Sequence, residues 1–266
     1  MALWEVILLA ILQGITEFLP VSSSGHLVVT NALLQWLGCQ PVEDLIEVSI
    51  VLHLGTLAAV LVFYRRALWR MLDADRRVIS LLIVGTLPAV VFGLLVKKGL
   101  SDHLAQLILE NALLAGCLFP VTAAALVWAM RRPVGETDYT RLSWKQSLIV
   151  GVLQAVAILP GISRSGTTIA AGLGVGMRRE SAVTFAFLLA IPAIAGAGVL
   201  EGLDAIQAGE TGTAPLNLAI GFMVSFLVGL VALKLLVRWV VQGRLAMFAY
   251  YLVPLGAAVV AWQLLG

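Results

Sequence analysis

The sequence predicts an all-α integral membrane protein with six transmembrane helices and two opposed re-entrant helical hairpins, arranged as an inverted-topology repeat. Three observations lead there. With 61% hydrophobic and 12% charged residues and a mean hydropathy of +1.01, the chain has too little polar surface to cover a soluble globule of 266 residues. Apolar runs of about 17 to 25 residues, the length that crosses a hydrocarbon core, recur from end to end. Two further apolar stretches, 3–36 and 146–177, are interrupted at their centres by Pro, Gly and hydroxyl residues.

Hydropathy and charged or Gly/Pro boundaries put spanning helices at 45–64, 78–97, 104–130, 181–201, 216–237 and 246–265. The interrupted stretches are different. Backbone that leaves the helix at membrane depth has no lipid partner for its N–H and C=O groups, so it must be buried in protein or line a wet cavity. Both stretches are therefore expected to be re-entrant. The N-terminus has no basic region or small-residue cleavage site before Glu17, so the first segment is expected to stay in the mature protein. Cys39, expected in a loop, and Cys117, expected in a helix, are too few for a disulfide framework.

Basic residues set the orientation. With both hairpins re-entrant, the Arg and Lys residues of 65–77, 131–145, 178–179 and 234–244 fall on one side, and only Lys97 and Lys98 on the other. The positive-inside rule makes the first side cytoplasmic and both termini external. Arg164 alone is left within the membrane. Each half, 1–133 and 140–266, then holds one hairpin and three spans, and an odd number of spans inverts the second copy. Ser22-Ser23-Ser24-Gly25 aligns on Ser163-Arg164-Ser165-Gly166 at an offset that also aligns Gln13 on Gln154; Gly85, Gly93 and Lys98 match Gly221, Gly229 and Lys234 at a slightly shorter one. Broken helices in inverted repeats put a binding site where the breaks meet.

An arginine inside a membrane is costly and effectively always charged, so Arg164 needs an anion. The alternatives are a salt bridge to Glu17 or a bidentate phosphate contact. The surrounding Ser163, Ser165, Gly166, Thr167 and Thr168 open a helix in the manner of an anion site. Glu17 follows Gln13 by one helical turn; a carboxylate beside phosphate suits a divalent-cation ligand or a general base. Ser22, Ser23 and Ser24 lie in the break between Pro20 and Gly25, and Ser23 and His26 are spaced to hydrogen-bond as nucleophile and base. His53 reads equally as a site residue or a core histidine. No Walker loop, zinc-type Cys/His spacing or nucleotide fingerprint is present, and no nucleic-acid partner is expected.

The motifs Gln13-Gly-Ile-Thr-Glu17, Phe18-Leu-Pro-Val-Ser-Ser-Ser-Gly-His26 and Pro160-Gly-Ile-Ser-Arg-Ser-Gly-Thr-Thr168 closely resemble those of the undecaprenyl-diphosphate phosphatase (bacitracin-resistance) family. The resemblance extends over essentially the whole chain. It implies hydrolysis of the C55 carrier lipid diphosphate in a bacterial inner membrane, with the site open to the periplasm and a divalent cation, Mg or Ca, as cofactor. Carried over by position, Glu17 is the catalytic carboxylate and metal ligand, Ser23 or His26 the phosphoryl acceptor, and Arg164 with Ser163 and Thr168 the phosphate cradle. Gln13 stands where family members carry Glu or Gln. The expected partners are the polyprenyl diphosphate, membrane lipids and a second copy in a homodimer. The competing function is a polyprenyl-phosphate transporter or flippase, which would need the same Arg164.

Overall fold

A computed structural model describes residues 1–36, 45–99, 101–208 and 213–265. Among them the secondary structure is helical throughout, apart from one isolated bridge between Thr137 and Met177. Five helices are long and apolar enough to cross a membrane, α5 (Arg77–Gly99), α7 (Ala112–Arg131), α10 (Arg179–Ala208), α11 (Pro215–Val241) and α12 (Ala249–Leu265, extended by a 3-10 turn at Leu245–Phe248). A sixth is added if α3 (Leu45–Phe63) and α4 (Arg65–Leu72) are taken as one span bent by 68°. The chain is thus a multi-pass membrane protein.

Two expectations change in detail. The segment 65–77, read as a loop, begins with α4, whose Met71 is buried while Arg65, Arg66, Arg70 and Trp69 are exposed; an amphipathic turn pattern holds it as a helix after the bend at Tyr64. The segment 104–130, read as one span, is α6 (Asp102–Leu109) followed by α7, because the Asn111 side chain accepts the Leu114 N–H and caps a new helix. Cys39 lies outside the described residues, and Cys117 is an exposed, unpaired thiol on α7.

The two interrupted segments are pairs of short helices, α1 (Leu3–Thr16) with α2 (Ser23–Trp36) and α8 (Trp144–Val156) with α9 (Arg164–Gly174). On α1 the buried face is Val6, Ala10, Gln13 and Gly14, one helical stripe, while Trp4, Leu8, Ile11 and Ile15 face outward. That stripe packs on α11; a Cβ on Gly14 would lie 2.9 Å from Val228. The corresponding stripe of α8, Ser147, Val150, Gly151 and Gln154, packs on α5, where a Cβ on Gly151 would meet the Gly85 carbonyl oxygen at 2.1 Å. The first helix of each pair, α1 and α8, therefore leans on a long helix from the other half of the sequence, through glycines that let backbones approach.

The core wraps the two breaks. Phe18 is buried against Phe187 with ring centroids 5.6 Å apart, and Phe119, Leu126 and Ile169 are fully buried beside them.

Candidate active site

The first break begins at Glu17, which still has helical backbone, and ends at Ser22, whose φ of 70° lies in the left-handed region that a non-glycine residue adopts at a cost of order 1–3 kcal/mol. Something must hold it there. Ser22 Oγ accepts the N–H of Gly25 at 3.2 Å and that of Gly161, from the second break, at 3.1 Å. Gly161 has φ 90° and is seated in turn by Thr122, whose Oγ1 donates to its carbonyl at 2.8 Å and accepts the Ser163 N–H at 3.0 Å. Ser165 Oγ donates to the Leu19 carbonyl at 3.3 Å. A Cβ on Gly25 would come within 2.6 Å of Gly161 N, so the two breaks touch backbone to backbone.

The turns also match each other internally. Gly25 N–H donates to Ser22 Oγ and Gly166 N–H to Ser163 Oγ, each at 3.2 Å; His26 N–H donates to the Ser22 carbonyl and Thr167 N–H to that of Ser163; Ser22 and Ser163 each have a hydroxyl neighbour two residues on, at 3.4 and 3.2 Å.

Between the breaks lies a cavity of about 270 Å³. Glu17, buried to 4% side-chain exposure, is its acidic group. The Arg164 guanidinium pairs through Nη2 with Glu17 Oε1. The other carboxylate oxygen, Oε2, accepts from Gln13 Nε2 at 3.1 Å and Ser23 Oγ at 3.3 Å, and faces His53 Nε2 at 3.8 Å. Ser22, Ser23, Ser24, Ser163, Arg164 and Ser165 line the cavity with Glu17. The first turns of α2 and α9 both open onto it, which favours anions through their unpaired N–H groups and helix dipoles.

The remaining residues named from sequence stand outside the lining. Gln13 acts through Glu17. Gly25 and Gly166 are buried contacts, the latter 3.0 Å from Pro20 for a built Cβ. Thr167 is half-buried, and Thr168 Oγ1 donates back to the Arg164 carbonyl at 2.7 Å, bracing the start of α9. His26 is the clearest correction. It does not bond Ser23: its Nδ1 meets the Ser22 carbonyl at 2.7 Å and its Nε2 the Tyr251 hydroxyl of α12 at 2.7 Å, with the two rings stacked. A side chain at the start of α2 can fold back on the carbonyl one turn earlier, and this bond wins over the neighbouring serine. Two residues escaped the site list drawn from sequence, His53 and Tyr251. Only His53 had a signal, an ionisable group inside an apolar span.

Residues 6–258 match the family model described as Bacitracin resistance protein BacA. An undecaprenyl-diphosphatase of Rhodopirellula baltica is 47% identical over 261 residues, covering 98% of either chain. Undecaprenyl-diphosphatases of Methanosphaera stadtmanae and Corynebacterium glutamicum are 35% and 37% identical, over 95% and 98% of this chain and 95% and 91% of theirs.

Proposed function

The chain belongs to the bacitracin resistance protein BacA family, and on that premise we propose that it hydrolyses undecaprenyl diphosphate to undecaprenyl phosphate and inorganic phosphate, recycling the carrier lipid and conferring bacitracin resistance. The observation that carries the reading to the cavity is the meeting of Arg164, Glu17 and Ser23, brought from two distant breaks onto one carboxylate.

Phosphoryl transfer needs positioning and charge neutralisation more than covalent chemistry. Arg164 has five N–H donors; one nitrogen holds Glu17, which fixes the fork, and the others can take the terminal phosphate. The starts of α2 and α9 add backbone donors. Ser23 donates to Glu17 Oε2, which aims the hydroxyl lone pairs into the cavity. As the Oγ–P bond forms, the anhydride P–O bond breaks and its electron pair leaves with undecaprenyl phosphate. The Ser23 proton moves to Glu17 Oε2 or to an unprotonated phosphate oxygen, and water then hydrolyses the serine ester. Both ring nitrogens of His26 are engaged elsewhere, which supports Ser23 as acceptor and a bracing role for His26 at the strained Ser22 turn.

Among the described residues no three His, Cys, Asp or Glu side chains converge. A divalent cation nevertheless suits this donor set in the mode that combines one carboxylate with substrate phosphate oxygens, with Glu17 as the protein's ligand. When bound it would supply neutralisation of charge on the phosphates.

The fold reading extends to two opposed re-entrant hairpins in an inverted repeat, set in the bacterial inner membrane with termini and site towards the periplasm. Its support is the repeated turn bonding, the reciprocal packing of α1 on α11 and α8 on α5, and the gathering of basic ends on one face. There Arg77 donates to the Leu142 carbonyl, Arg178 pairs with Asp138, and Arg179 donates to the Val241 carbonyl. Cysteine at Ala74 or Glu136 should label only after permeabilisation, and at Ser101 from outside, in a background lacking Cys39 and Cys117; external labelling at Ala74 would overturn the orientation. Phosphate release from undecaprenyl diphosphate in detergent micelles tests the activity itself. Hydrolysis needs no second compartment, whereas a flippase releases no phosphate.

A further inference from the structure

Of the three histidines, His53 alone lines the cavity. Its Nδ1 sits 2.8 Å from the Ser49 carbonyl oxygen. The Ser49 hydroxyl is farther from Nδ1, at 3.3 Å; a carbonyl only accepts, so the shorter contact puts the hydrogen on Nδ1, and in that tautomer the lone pair of Nε2 faces the cavity. Nε2 faces Glu17 Oε2 at 3.8 Å, too far for a hydrogen bond. In that tautomer two electron-pair donors face each other across the cavity.

From this geometry we infer that Glu17 Oε2 and His53 Nε2 together ligate one divalent cation, and that the site takes a later first-row ion such as Zn²⁺ ahead of Ca²⁺. Two ligands each about 2.1 Å from an ion can be up to about 4.2 Å apart, so 3.8 Å is spanned without moving either helix. Arg164 occupies Oε1, the opposite oxygen; on Oε2 an ion takes the place of the Gln13 and Ser23 donors, which lie at 3.1 and 3.3 Å. The cavity wall facing His53 from α10, Ala193, Ile194 and Ala197, has no ligating group, which leaves the other coordination positions to the two phosphates. Ca²⁺ takes oxygen ligands, whereas imidazole suits the later first-row ions. With an ion on Oε2, a phosphate oxygen is the acceptor for the Ser23 proton.

The inference rests on the hydrolase reading only for the phosphate ligands, and its test reads the metal directly. The purified protein in detergent is titrated with Mn²⁺, alone and with methylenediphosphonate. Electron paramagnetic resonance reports free Mn²⁺, and electron spin echo modulation reports nitrogen coupled to bound Mn²⁺. The unaltered protein should show ¹⁴N modulation. His53→Gln and His53→Ala should lose it and bind Mn²⁺ at least about tenfold more weakly, with Zn²⁺ displacing Mn²⁺ more readily than Ca²⁺ does. Affinity unchanged in either folded variant, modulation that persists without His53, or no bound Mn²⁺ in either arm would overturn the site. If the variants fail to fold, the absence of ¹⁴N modulation in the unaltered protein is itself decisive. A proton shared between Glu17 and His53 predicts that absence. Phosphate release is scored separately: a protein that binds Mn²⁺ through His53 yet releases no phosphate retires the hydrolase and keeps the site, and the converse result does the opposite.

Discussion

Replacing Arg164 by lysine keeps the charge and removes the fork. In the protein the guanidinium holds Glu17 with Nη2 and, on the proposed reading, gives its further donors to phosphate; an ammonium is a single centre on a flexible stem and cannot hold both partners in that geometry. Hydrogen bonds to charged groups contribute about 1.5–3 kcal/mol each. Losing two of them raises the barrier by about 3–6 kcal/mol, or roughly 10²- to 10⁴-fold in kcat/KM. Phosphate release by purified R164K in detergent measures this, and turnover within about threefold of the unaltered enzyme would refute the role. A second measurement isolates the ion pair. Arg164→Met strands the Glu17 carboxylate at 4% exposure and should cost about 3–5 kcal/mol of stability, most of which Glu17→Gln should restore in the double variant. If the two changes add independently, the pair does not hold the breaks together.

Rapid quenching with substrate labelled in its terminal phosphate should trap an acid-stable label that is lost in Ser23→Ala; an acid-labile label persisting in that variant would transfer the acceptor role to His26. Gly25→Ala drives a Cβ to 2.6 Å from Gly161 N and should lower stability by about 1–3 kcal/mol or more, whereas Gly93→Ala, with only Ile158 Cδ1 at 4.0 Å, should be neutral or mildly stabilising in the same melt. Partial burial works to raise the Asp138 carboxyl, but the Thr140 donors, the Arg178 guanidinium and Ser181 outweigh it, and Asp138 titrates below its ordinary 3.8. A depressed carboxyl stabilises the fold above its unfolded-state value and loses that contribution as pH falls. The stability gap between the unaltered protein and Asp138→Asn should therefore be widest near neutral pH and close below about pH 4; a gap constant with pH would show that ionisation is not involved.

Four of the six expected spans, 78–97, 181–201, 216–237 and 246–265, each fall on one long apolar helix, because hydrocarbon admits few alternatives to an apolar helix. What sequence concealed was a change of direction inside apolar composition. Glu110-Asn111 looks like the edge of a span but starts a separate helix, and the bend at Tyr64 depends on how α4 seats Met71 rather than on any breaker residue. In the cavity, Glu17 and Arg164 announced themselves, since a charge at membrane depth is too costly to be idle. His26 misled because local spacing suggested Ser23, while its second partner, Tyr251, is 225 residues away. His53 was ambiguous for the same reason: what distinguishes it from a packing histidine is the distance from Nε2 to Glu17, which only tertiary structure sets.

Positions 141 apart in the chain line the cavity in six pairs: Thr16 with Ala157, Glu17 with Ile158, Ser22 with Ser163, Ser23 with Arg164, Ser24 with Ser165 and His53 with Ile194. In three of them the earlier residue is polar and the later one aliphatic; in the other three, at the facing turns, both are polar. The chamber is itself an amphiphile, water-like where the two turns meet and oil-like along Ala157, Ile158, Ala193, Ile194 and Ala197. On the proposed reading, a lipid with an ionic head would set that head on Glu17, Ser23 and Arg164 and its first hydrocarbon units on Ile158, Ala193 and Ile194.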